Sequence, residues 1–364
     1  MLPFLGESYG NPSSIHRFGG MVHRHIETAR EQVAALLGAS PEEIIFTSCG
    51  SESNNMALKG FTNSSKYGKC SIVTSAVEHP SVRNTARYLK ATGCSLTELS
   101  VDSEGMIHPE IIDDYSVGSD TLVSLMWGNN ETGVLFPIEQ IAHRVKARGG
   151  FFHTDAVQAV GKVPVDLSKV PVDMLSLSGH KVHAPKGVGA LYVRKGFKVP
   201  PLLHGGHQEG GLRAGTENVA YIVGLGKACE LAIAHMEEEN SRVKKLRDRL
   251  EAALLSKCQN AKLNGNREMR LPNTTNVSFE AIEGEAILLH LDETGIAASS
   301  GSACTTGSLE PSHVMIAMGI PYTFAHSSTR FSLSRYTTDE EIDAVINAMP
   351  AIVDKLRKLS PFAE

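Results

Sequence analysis

Short apolar segments alternate with helix-like segments through the first half of the chain, and this alternation constrains the fold more than any other feature. Each apolar segment is short enough to be a strand, and several end in small or polar residues. Strands separated by helices predict a mostly parallel sheet that is flanked by helices. The sequence therefore predicts an α/β fold with strands at residues 43–47, 71–75, 96–101, 121–127, 151–155 and 173–178.

The pattern changes after about Asn218, which predicts a second domain. A helical region, interrupted near Gly224 and Gly226, is expected to continue to about residue 258, and its later half is rich in charge. Beyond it, mixed strands and helices predict a smaller α+β domain, whose last helix opens with the capping-box pattern Thr338-Asp-Glu-Glu341. The expected division is a large domain over residues 1–235 and a small domain over residues 236–364. The remaining expected elements are a helix at 13–37 that ends at Gly38, helices at 285–293 and 312–318, and strands at 275–279 and 329–333.

The chain has the composition of a globular protein, with 364 residues, of which 41% are hydrophobic and 21% charged. Its net charge of −5 argues against a nucleic-acid-binding surface. No apolar run reaches the roughly 18 residues that a membrane helix needs, and the N-terminus lacks the basic and apolar regions of a signal peptide. We therefore expect a cytoplasmic protein that binds neither nucleic acid nor membrane.

The six cysteines form no CxxC pair and have no Cys/His spacing suited to zinc, so no metal site is predicted. In a reducing cytoplasm they are expected to be thiols. Cys304 stands apart because its Gly-, Ser- and Thr-rich surroundings favour an exposed loop thiol, whereas Cys70 and Cys229 lie in apolar patterns and are expected to be inert. An incidental loop cysteine is the alternative interpretation of Cys304.

The segment Asp173-Met-Leu-Ser-Leu-Ser-Gly-His-Lys181 places a lysine directly after an apolar strand. Ligands of open α/β sheets bind at the carboxyl ends of strands, so Lys181 is a candidate for covalent chemistry. Ser178 and His180 beside it could hold an anion. The alternative is a solvated loop lysine, because most lysines are exposed.

Polar residues at other strand ends extend the set that Lys181 begins. Gly50 and Ser51 stand between a strand and a helix, where backbone N–H groups and the helix dipole favour a phosphate, although small residues also make ordinary turns. Asp155 ends a strand three residues before Gln158 and could pair with a protonated ring nitrogen or cap a following helix. His79 begins a helix, where a histidine is more often a local hydrogen-bonding residue than a catalyst. A lysine for a Schiff base, an aspartate for a ring nitrogen and a helix start for a phosphate are what pyridoxal 5'-phosphate requires of a protein, so the set suits this cofactor.

Arg330 lies within the apolar strand pattern Arg330-Phe-Ser-Leu-Ser334. A guanidinium in such a place usually pairs with a carboxylate. That carboxylate could belong to the protein or to a substrate.

Short motifs follow one another through the chain: Tyr9-Gly-Asn-Pro-Ser-Ser14, Thr47-Ser-Cys-Gly-Ser-Glu-Ser53, Glu78-His-Pro80, Asn129-Asn-Glu-Thr-Gly133, His153-Thr-Asp-Ala-Val-Gln158, Leu177-Ser-Gly-His-Lys181, Arg213-Ala-Gly-Thr-Glu-Asn218, Ser300-Gly-Ser-Ala-Cys304 and Arg330-Phe-Ser-Leu333. In these motifs the chain resembles the cysteine desulfurases over essentially its whole length. Three more motifs are similar to the NifS type of that family: Gly205-Gly-His-Gln208, Ile282-Glu-Gly-Glu-Ala-Ile287 and Ser308-Leu-Glu-Pro-Ser-His-Val314.

The resemblance implies the fold of the type I pyridoxal-phosphate aminotransferases, a homodimer, and conversion of L-cysteine to L-alanine with the sulfur held as a persulfide. Cys304 is implied to attack the substrate sulfur and to pass it to an iron–sulfur scaffold protein, in nitrogenase-related or general cluster assembly. Arg330 is implied to bind the substrate carboxylate. By the matching motifs, Lys181 is implied to anchor the cofactor covalently and to carry protons, and His79 to lie on the ring and take part in acid/base steps. Asp155 is implied to contact the ring nitrogen, Gln158 the ring hydroxyl, and Asn130 both cofactor and substrate. The implied phosphate contacts are Gly50, Ser51, Ser178, His180 and, from the other subunit, Thr216.

Family members usually begin with a Leu-Asp-Asn-Asn/Ala-Ala-Thr-Thr segment upstream of the point that Met1-Leu-Pro-Phe-Leu5 matches. We expect either a shortened form or a start assigned to an internal methionine, and a real shortening would affect substrate binding and the small domain. A selenocysteine lyase or another class-V aminotransferase reaction is the alternative activity on this scaffold. A catalytically weak sulfur-transfer scaffold subunit is the alternative from a different functional class.

Overall fold

The computed structural model describes residues 1–64, 70–300 and 310–361. The chain divides into two compact units. The first comprises Met1–Leu99, His108–Trp127 and Pro137–Met236, and the second comprises Ser100–Ile107, Gly128–Phe136 and Glu237–Glu364. Two segments that precede Met236 in the chain belong to the second unit because backbone hydrogen bonds attach them to it, from Asn266 N to Glu104 O and from Leu271 N to Gly133 O, both 2.8 Å.

The first unit contains a seven-stranded sheet in the order β1-β7-β6-β5-β4-β2-β3. Six strands are parallel, and β7 alone runs in the opposite direction. Strands β4, β6 and β7 are buried along their whole length, as expected of a parallel sheet covered on both faces. The predicted α/β fold is thus confirmed. The strands are β1 (Ile44–Thr47), β2 (Ser71–Ser75), β3 (Ser95–Leu99), β4 (Thr121–Met126), β5 (Phe151–Asp155), β6 (Met174–Ser178) and β7 (Gly189–Val193).

Helices flank this sheet, and two of them pack closely on each other. The predicted interruption near Gly224 and Gly226 is wrong, because one helix runs through both glycines to Ala234. Gly226 permits close packing, since a Cβ atom there would lie 2.6 Å from Ala29 Cα of the neighbouring helix. That neighbouring helix ends where predicted, at Gly38, which has the left-handed φ of 64°. The helices of the first unit are α1 (Leu2–Gly6), α2 (Arg17–Leu37), α3 (Gly50–Ser64), α4 (Pro80–Ala91), α5 (Ile138–Ala147) and α6 (Val219–Ala234).

The second unit has an antiparallel four-stranded sheet in the order β10-β11-β9-β8. Its core joins β9 and β11 to the long helices, through buried residues such as Phe279, Leu250 and Met349. The predicted capping box is confirmed, because Thr338 Oγ1 accepts from Glu341 N and Glu341 Oε2 accepts from Thr338 N. The strands are β8 (Ala261–Leu263), β9 (Thr274–Phe279), β10 (Ser299–Ser300) and β11 (Thr329–Ser332). The helices are α7 (Met236–Glu238), α8 (Lys244–Lys257), α9 (Gly284–Glu293), α10 (His313–Ala317), α11 (Tyr322–Ala325) and α12 (Asp339–Leu359), with a π-turn at Glu239–Val243 between α7 and α8.

The expectation that all cysteines are thiols is wrong for one pair, because Cys70 and Cys94 form a disulfide. Each cysteine directly precedes one of two neighbouring parallel strands, and Ser71 pairs in register with Ser95. The register brings the two cysteine Cα atoms to 4.9 Å, although 24 residues separate them in the chain. Sequence spacing alone does not show this register.

No single helix in the described part of the chain is long and apolar enough to cross a membrane. Two consecutive helical segments, Val219–Ala234 and Met236–Lys257, have the required length and apolar composition only when they are taken together, and the chain bends between them.

Candidate active site

The start of α3 lies against the carboxyl ends of β5 and β6. Gly50 is the first residue of α3, and a Cβ atom there would lie 2.7 Å from Val157 Cγ2 and 3.3 Å from Ser178 Cβ. A side chain at this position would force its neighbours apart, so the approach requires glycine. Ser178 ends β6 with only 3% exposure, and its Oγ is hydrogen-bonded to His180 Nδ1 at 3.0 Å. A helix start, a hydroxyl and an imidazole therefore meet at one corner, which has the donor groups of an anion site.

Asp155, the last residue of β5, is buried beside this corner. Its Oδ2 accepts a 2.7 Å hydrogen bond from Asn54 Nδ2, and its Oδ1 accepts a 3.0 Å bond from Val157 N. Burial raises the pKa of Asp155, although these two hydrogen bonds and nearby His79 act in the opposite direction. The residues after Asp155 form a turn rather than a helix, so the aspartate does not cap a helix.

His79 and Lys181 lie within electrostatic range of each other. His79 is the N-cap of α4, and its Nδ1 accepts a 3.2 Å hydrogen bond from Ser81 N. Burial lowers the pKa of His79, Asp155 opposes this effect, and Lys181 lowers it further. Lys181 lies in the 3-10 turn Gly179–Val182 that follows β6 directly. The structure thus brings together Lys181, His79 and Asp155, which lie far apart in the sequence.

Two buried polar residues of this region were missed in the sequence. Asn54, 1% exposed, donates from Nδ2 to Ser81 Oγ at 2.8 Å as well as to Asp155, and so ties α3 to α4 and β5. Glu78 is fully buried and accepts from Ser75 Oγ at 2.7 Å and Met126 N at 2.9 Å, and burial raises its pKa to about 8. The sequence feature that could have identified Asn54 is its place on the apolar face of a helix, because a buried amide there needs hydrogen-bond partners.

The second unit contains the two residues predicted to bind substrate. Arg330, on β11, donates from Nη1 to the backbone carbonyl of Asn130. The next residue, Glu131, is 2% exposed and accepts a hydrogen bond from Ser312 Oγ. Burial raises the pKa of Glu131 to about 8, although Ser312 and Arg330 both lower it. Asn129 Oδ1 accepts from Glu131 N at 2.9 Å, which stabilises the turn that presents these groups.

The remaining predicted residues occupy less enclosed positions. Gln158 is half-buried in the turn after β5, Ser51 is exposed in the first turn of α3, and Thr216 is exposed in the loop before α6. Cys304 lies outside the described residues. Within the described ranges, no three His, Cys, Asp or Glu side chains are grouped so that they could hold a metal ion.

Comparison with known proteins identifies the family. The sequence pattern described as aminotransferase class-V matches residues 1–345. The chain belongs to this family. A cysteine desulfurase of Nostoc sp. (strain PCC 7120 / SAG 25.82 / UTEX 2576) is 56% identical over 362 residues, which cover 100% of this chain and 90% of that protein. Cysteine desulfurase NifS of Azotobacter vinelandii is 55% identical over 363 residues, with the same coverage.

A solved structure titled NifS-like protein has the same fold. Its TM-score is 0.91 at 40% sequence identity, and the match covers 98% of this chain and 94% of that one. Class-V aminotransferases of this kind are pyridoxal-phosphate enzymes, which confirms the predicted cofactor.

The residues of the first unit fit this cofactor by their chemistry. Asp155 is a buried carboxylate that accepts two neutral N–H groups and has a raised pKa, so a protonated ring nitrogen would stabilise its charge. The corner of Gly50, Ser178 and His180 offers hydrogen-bond donors to a phosphate. Lys181 follows β6 at the same end of the sheet, where ligands of such folds bind.

Proposed function

We propose that this protein is a cysteine desulfurase that converts L-cysteine to L-alanine and keeps the sulfur as a persulfide on Cys304. The C–S bond of the substrate breaks and an S–S bond to Cys304 forms, so L-cysteine and the enzyme thiol give L-alanine and the enzyme persulfide without any external oxidant or reductant. The observation that carries the proposal is the grouping of Asp155, His79 and Lys181 beside the start of α3. The named relatives, 55–56% identical over the whole chain, support the same reaction.

The residues of the first unit have distinct roles in this proposal. Bound pyridoxal phosphate supplies an electron-withdrawing ring that makes the bonds at the substrate α-carbon easier to break. Lys181 anchors the cofactor covalently and carries protons at its Nζ atom. His79, whose pKa burial lowers, would lie against the ring; because its Nδ1 accepts a hydrogen bond from Ser81 N, the neutral imidazole carries its proton at Nε2 and presents a donor there. Asp155 holds the ring nitrogen, and Gln158 donates to the ring hydroxyl.

The other assigned groups bind and orient. Arg330 binds the substrate carboxylate, which its planar fork of donors can hold in two hydrogen bonds. Asn130, whose carbonyl accepts from Arg330, would contact the substrate. The phosphate is held by the residues at the start of α3 and after β6: Gly50, Ser51, Ser178 and His180.

Sulfide release from L-cysteine in the presence of a reductant tests the proposal. The wild-type protein is expected to release sulfide, and Cys304→Ala is expected to lose this activity. Cys229→Ala is the matched control, because Cys229 is fully buried and burial raises the pKa of its thiol to about 12. Undiminished sulfide release by Cys304→Ala would refute the assigned nucleophile.

Borohydride reduction tests the anchor. Reduction is expected to fix the cofactor to the wild-type chain, in a peptide that contains Lys181. Lys181→Ala is expected to retain no fixed cofactor. A fixed cofactor on another lysine of that variant would contradict the assignment.

We further propose a cytoplasmic homodimer that delivers sulfur to an iron–sulfur scaffold protein, in nitrogenase-related assembly. The exposure of Thr216 supports a role for this residue in the partner subunit's phosphate site. The likeness to NifS of Azotobacter vinelandii supports the link to nitrogen fixation. Sedimentation analysis of wild type and Thr216→Ala, with cofactor retention measured on both, tests the dimer. A monomer that retains cofactor would contradict it.

A further inference from the structure

An ion pair connects the start of α3 with the loop before α6. Arg213 donates from Nε to Glu52 Oε1 at 2.9 Å and from Nη2 to Glu52 Oε2 at 3.3 Å. Glu52 Oε2 also accepts a 2.7 Å hydrogen bond from Ser48 N, in the turn between β1 and α3. Although burial alone would raise the pKa of Glu52, the hydrogen bonds from Arg213 and Ser48 lower it, so this carboxylate is ionised at neutral pH.

The same loop also contacts the end of β1, through Glu209. Glu209 has φ 48° and ψ 44°, a left-handed backbone conformation that is unfavourable for a residue other than glycine. In this conformation its carboxylate forms two hydrogen bonds with Arg30, at 2.8 and 2.9 Å. Its Oε2 also accepts from Phe46 N at 2.8 Å, on β1. Glu209 keeps an unfavourable backbone conformation while its carboxylate binds Arg30 and Phe46 N. Such strain suggests that the positions of the groups it binds matter for function.

The two carboxylates accept from backbone N–H groups two residues apart, at Phe46 and Ser48. Glu209 fixes Phe46 within β1, and Glu52 with Arg213 fixes Ser48, one residue beyond the end of that strand. This stretch leads directly to Gly50, where the phosphate-binding corner begins. A backbone N–H group binds a phosphate only if its direction is maintained, and a pre-oriented donor loses less entropy on binding.

We propose that Glu209 and Arg213 are positioning residues of the phosphate-binding turn, which hold residues 46–51 in the orientation that receives the phosphate of pyridoxal phosphate. This inference rests on the proposed function, which places the phosphate at Gly50 and Ser51. Arg213 also favours phosphate binding electrostatically, because it neutralises the Glu52 carboxylate in the first turn of α3, which would otherwise repel a phosphate.

Cofactor affinity of the full-length chain, freed of cofactor and titrated with pyridoxal phosphate or with pyridoxal, tests the proposal. Pyridoxal keeps the ring and the aldehyde but lacks the phosphate, so it does not report on the phosphate-binding turn. Arg213→Gln is expected to weaken the affinity for pyridoxal phosphate about tenfold, because a charge-assisted hydrogen-bond pair is lost. The same variant is expected to bind pyridoxal within about twofold of wild type, because the contacts of the ring lie elsewhere.

Two further variants separate positioning from charge and from general stability. Arg213→Lys keeps the charge but lacks the planar fork, so positioning predicts an intermediate loss of affinity for pyridoxal phosphate. Asp173→Asn is the matched control, because Asp173 also pairs a buried carboxylate with a cation, Lys146 at 2.8 Å, and with a backbone N–H, Phe152 at 2.8 Å. It directly precedes β6, at the end of the strand away from Ser178. This variant is expected to lower the thermal unfolding temperature without changing the affinity ratio of the two ligands.

Three outcomes would overturn the inference. Equal losses for pyridoxal phosphate and pyridoxal in Arg213→Gln would show a purely structural ion pair. Wild-type affinity in Arg213→Lys would show that charge alone matters. A wild-type chain that binds neither compound would contradict the proposed function itself and this inference with it, whereas the first two outcomes contradict the inference alone.

Discussion

His153, two residues before Asp155 on β5, makes the stability of the first unit depend on pH. It is fully buried, its Nδ1 lies 2.8 Å from Ser124 Oγ and its Nε2 lies 3.0 Å from Ser176 Oγ. Burial lowers the pKa of His153 to about 3, from an ordinary value near 6.5. The imidazole is therefore neutral in the folded protein over the whole physiological range.

The size of the effect follows from the two pKa values. Because the folded pKa lies below the unfolded one, this contribution to stability is complete above about pH 6.5 and is lost as the pH falls toward about 3. Each pH unit in that window removes about 1.4 kcal/mol from the free energy of unfolding. Between pH 7 and pH 5 the loss from this one residue is about 2 kcal/mol. The full value applies because the ring has no contact with solvent.

Urea unfolding of wild type and His153→Gln at pH 7 and pH 5, followed by circular dichroism, measures this loss. Glutamine can hydrogen-bond Ser124 and Ser176 but cannot gain a proton. The wild-type protein is expected to lose about 2 kcal/mol more than the variant over this interval. Equal losses in the two proteins would refute the reasoning, as would a His153 ring that titrates near pH 6.5 by NMR.

Two further outcomes follow from the site. Burial raises the pKa of Glu131 to about 8, so its carboxylate forms above that pH near Arg330. If Arg330 binds the substrate carboxylate as proposed, the two carboxylates compete for it, and the KM for L-cysteine is expected to rise about fivefold from pH 7 to pH 9. Glu131→Gln is expected to remove the part of this rise that the ionisation of L-cysteine itself does not cause, and an unchanged profile in that variant would contradict the assignment. Gly50→Ala is expected to weaken binding of pyridoxal phosphate about tenfold, because its Cβ would lie 2.7 Å from Val157 Cγ2. Gly20→Ala, in a helix where the added Cβ meets no atom within 4 Å, is the control, and an equal loss there would refute the steric argument.

The parallel strands could be predicted because a strand buried on both faces appears in the sequence as a short apolar run. Strands β2 and β5 have the predicted bounds, Ser71–Ser75 and Phe151–Asp155. Strand β7, Gly189–Val193, was missed because no helix separates it from β6, which breaks the alternation that identified the other strands. Its insertion between β1 and β6 in the opposite direction depends on pairing across the sheet.

The candidate site was predictable only as separate strand ends. Lys181 and Asp155 were chosen because each stands where an apolar strand ends. The contacts that join such positions link residues far apart in the chain, such as Asn54 with Asp155 at a separation of 101 residues and Glu52 with Arg213 at 161. Local sequence pattern contains no information on such pairings, so the residues that support the site were missed, whereas the strand-end residues could be identified as candidates.

The neutrality of His153 also bears on the chemistry proposed for Asp155. Residues two apart on a strand point to the same face, so a charged imidazole at His153 would be a fixed cation beside the carboxylate. Because burial keeps that ring neutral, His153 places no positive charge beside Asp155. Asn54 and Val157 contribute only neutral N–H donors to the carboxylate. A buried carboxylate with neutral donors stabilises an added cation more than one that is already paired. Under the proposed function that cation is the protonated ring nitrogen of pyridoxal phosphate, and the burial that keeps His153 uncharged thus helps Asp155 to keep the ring protonated.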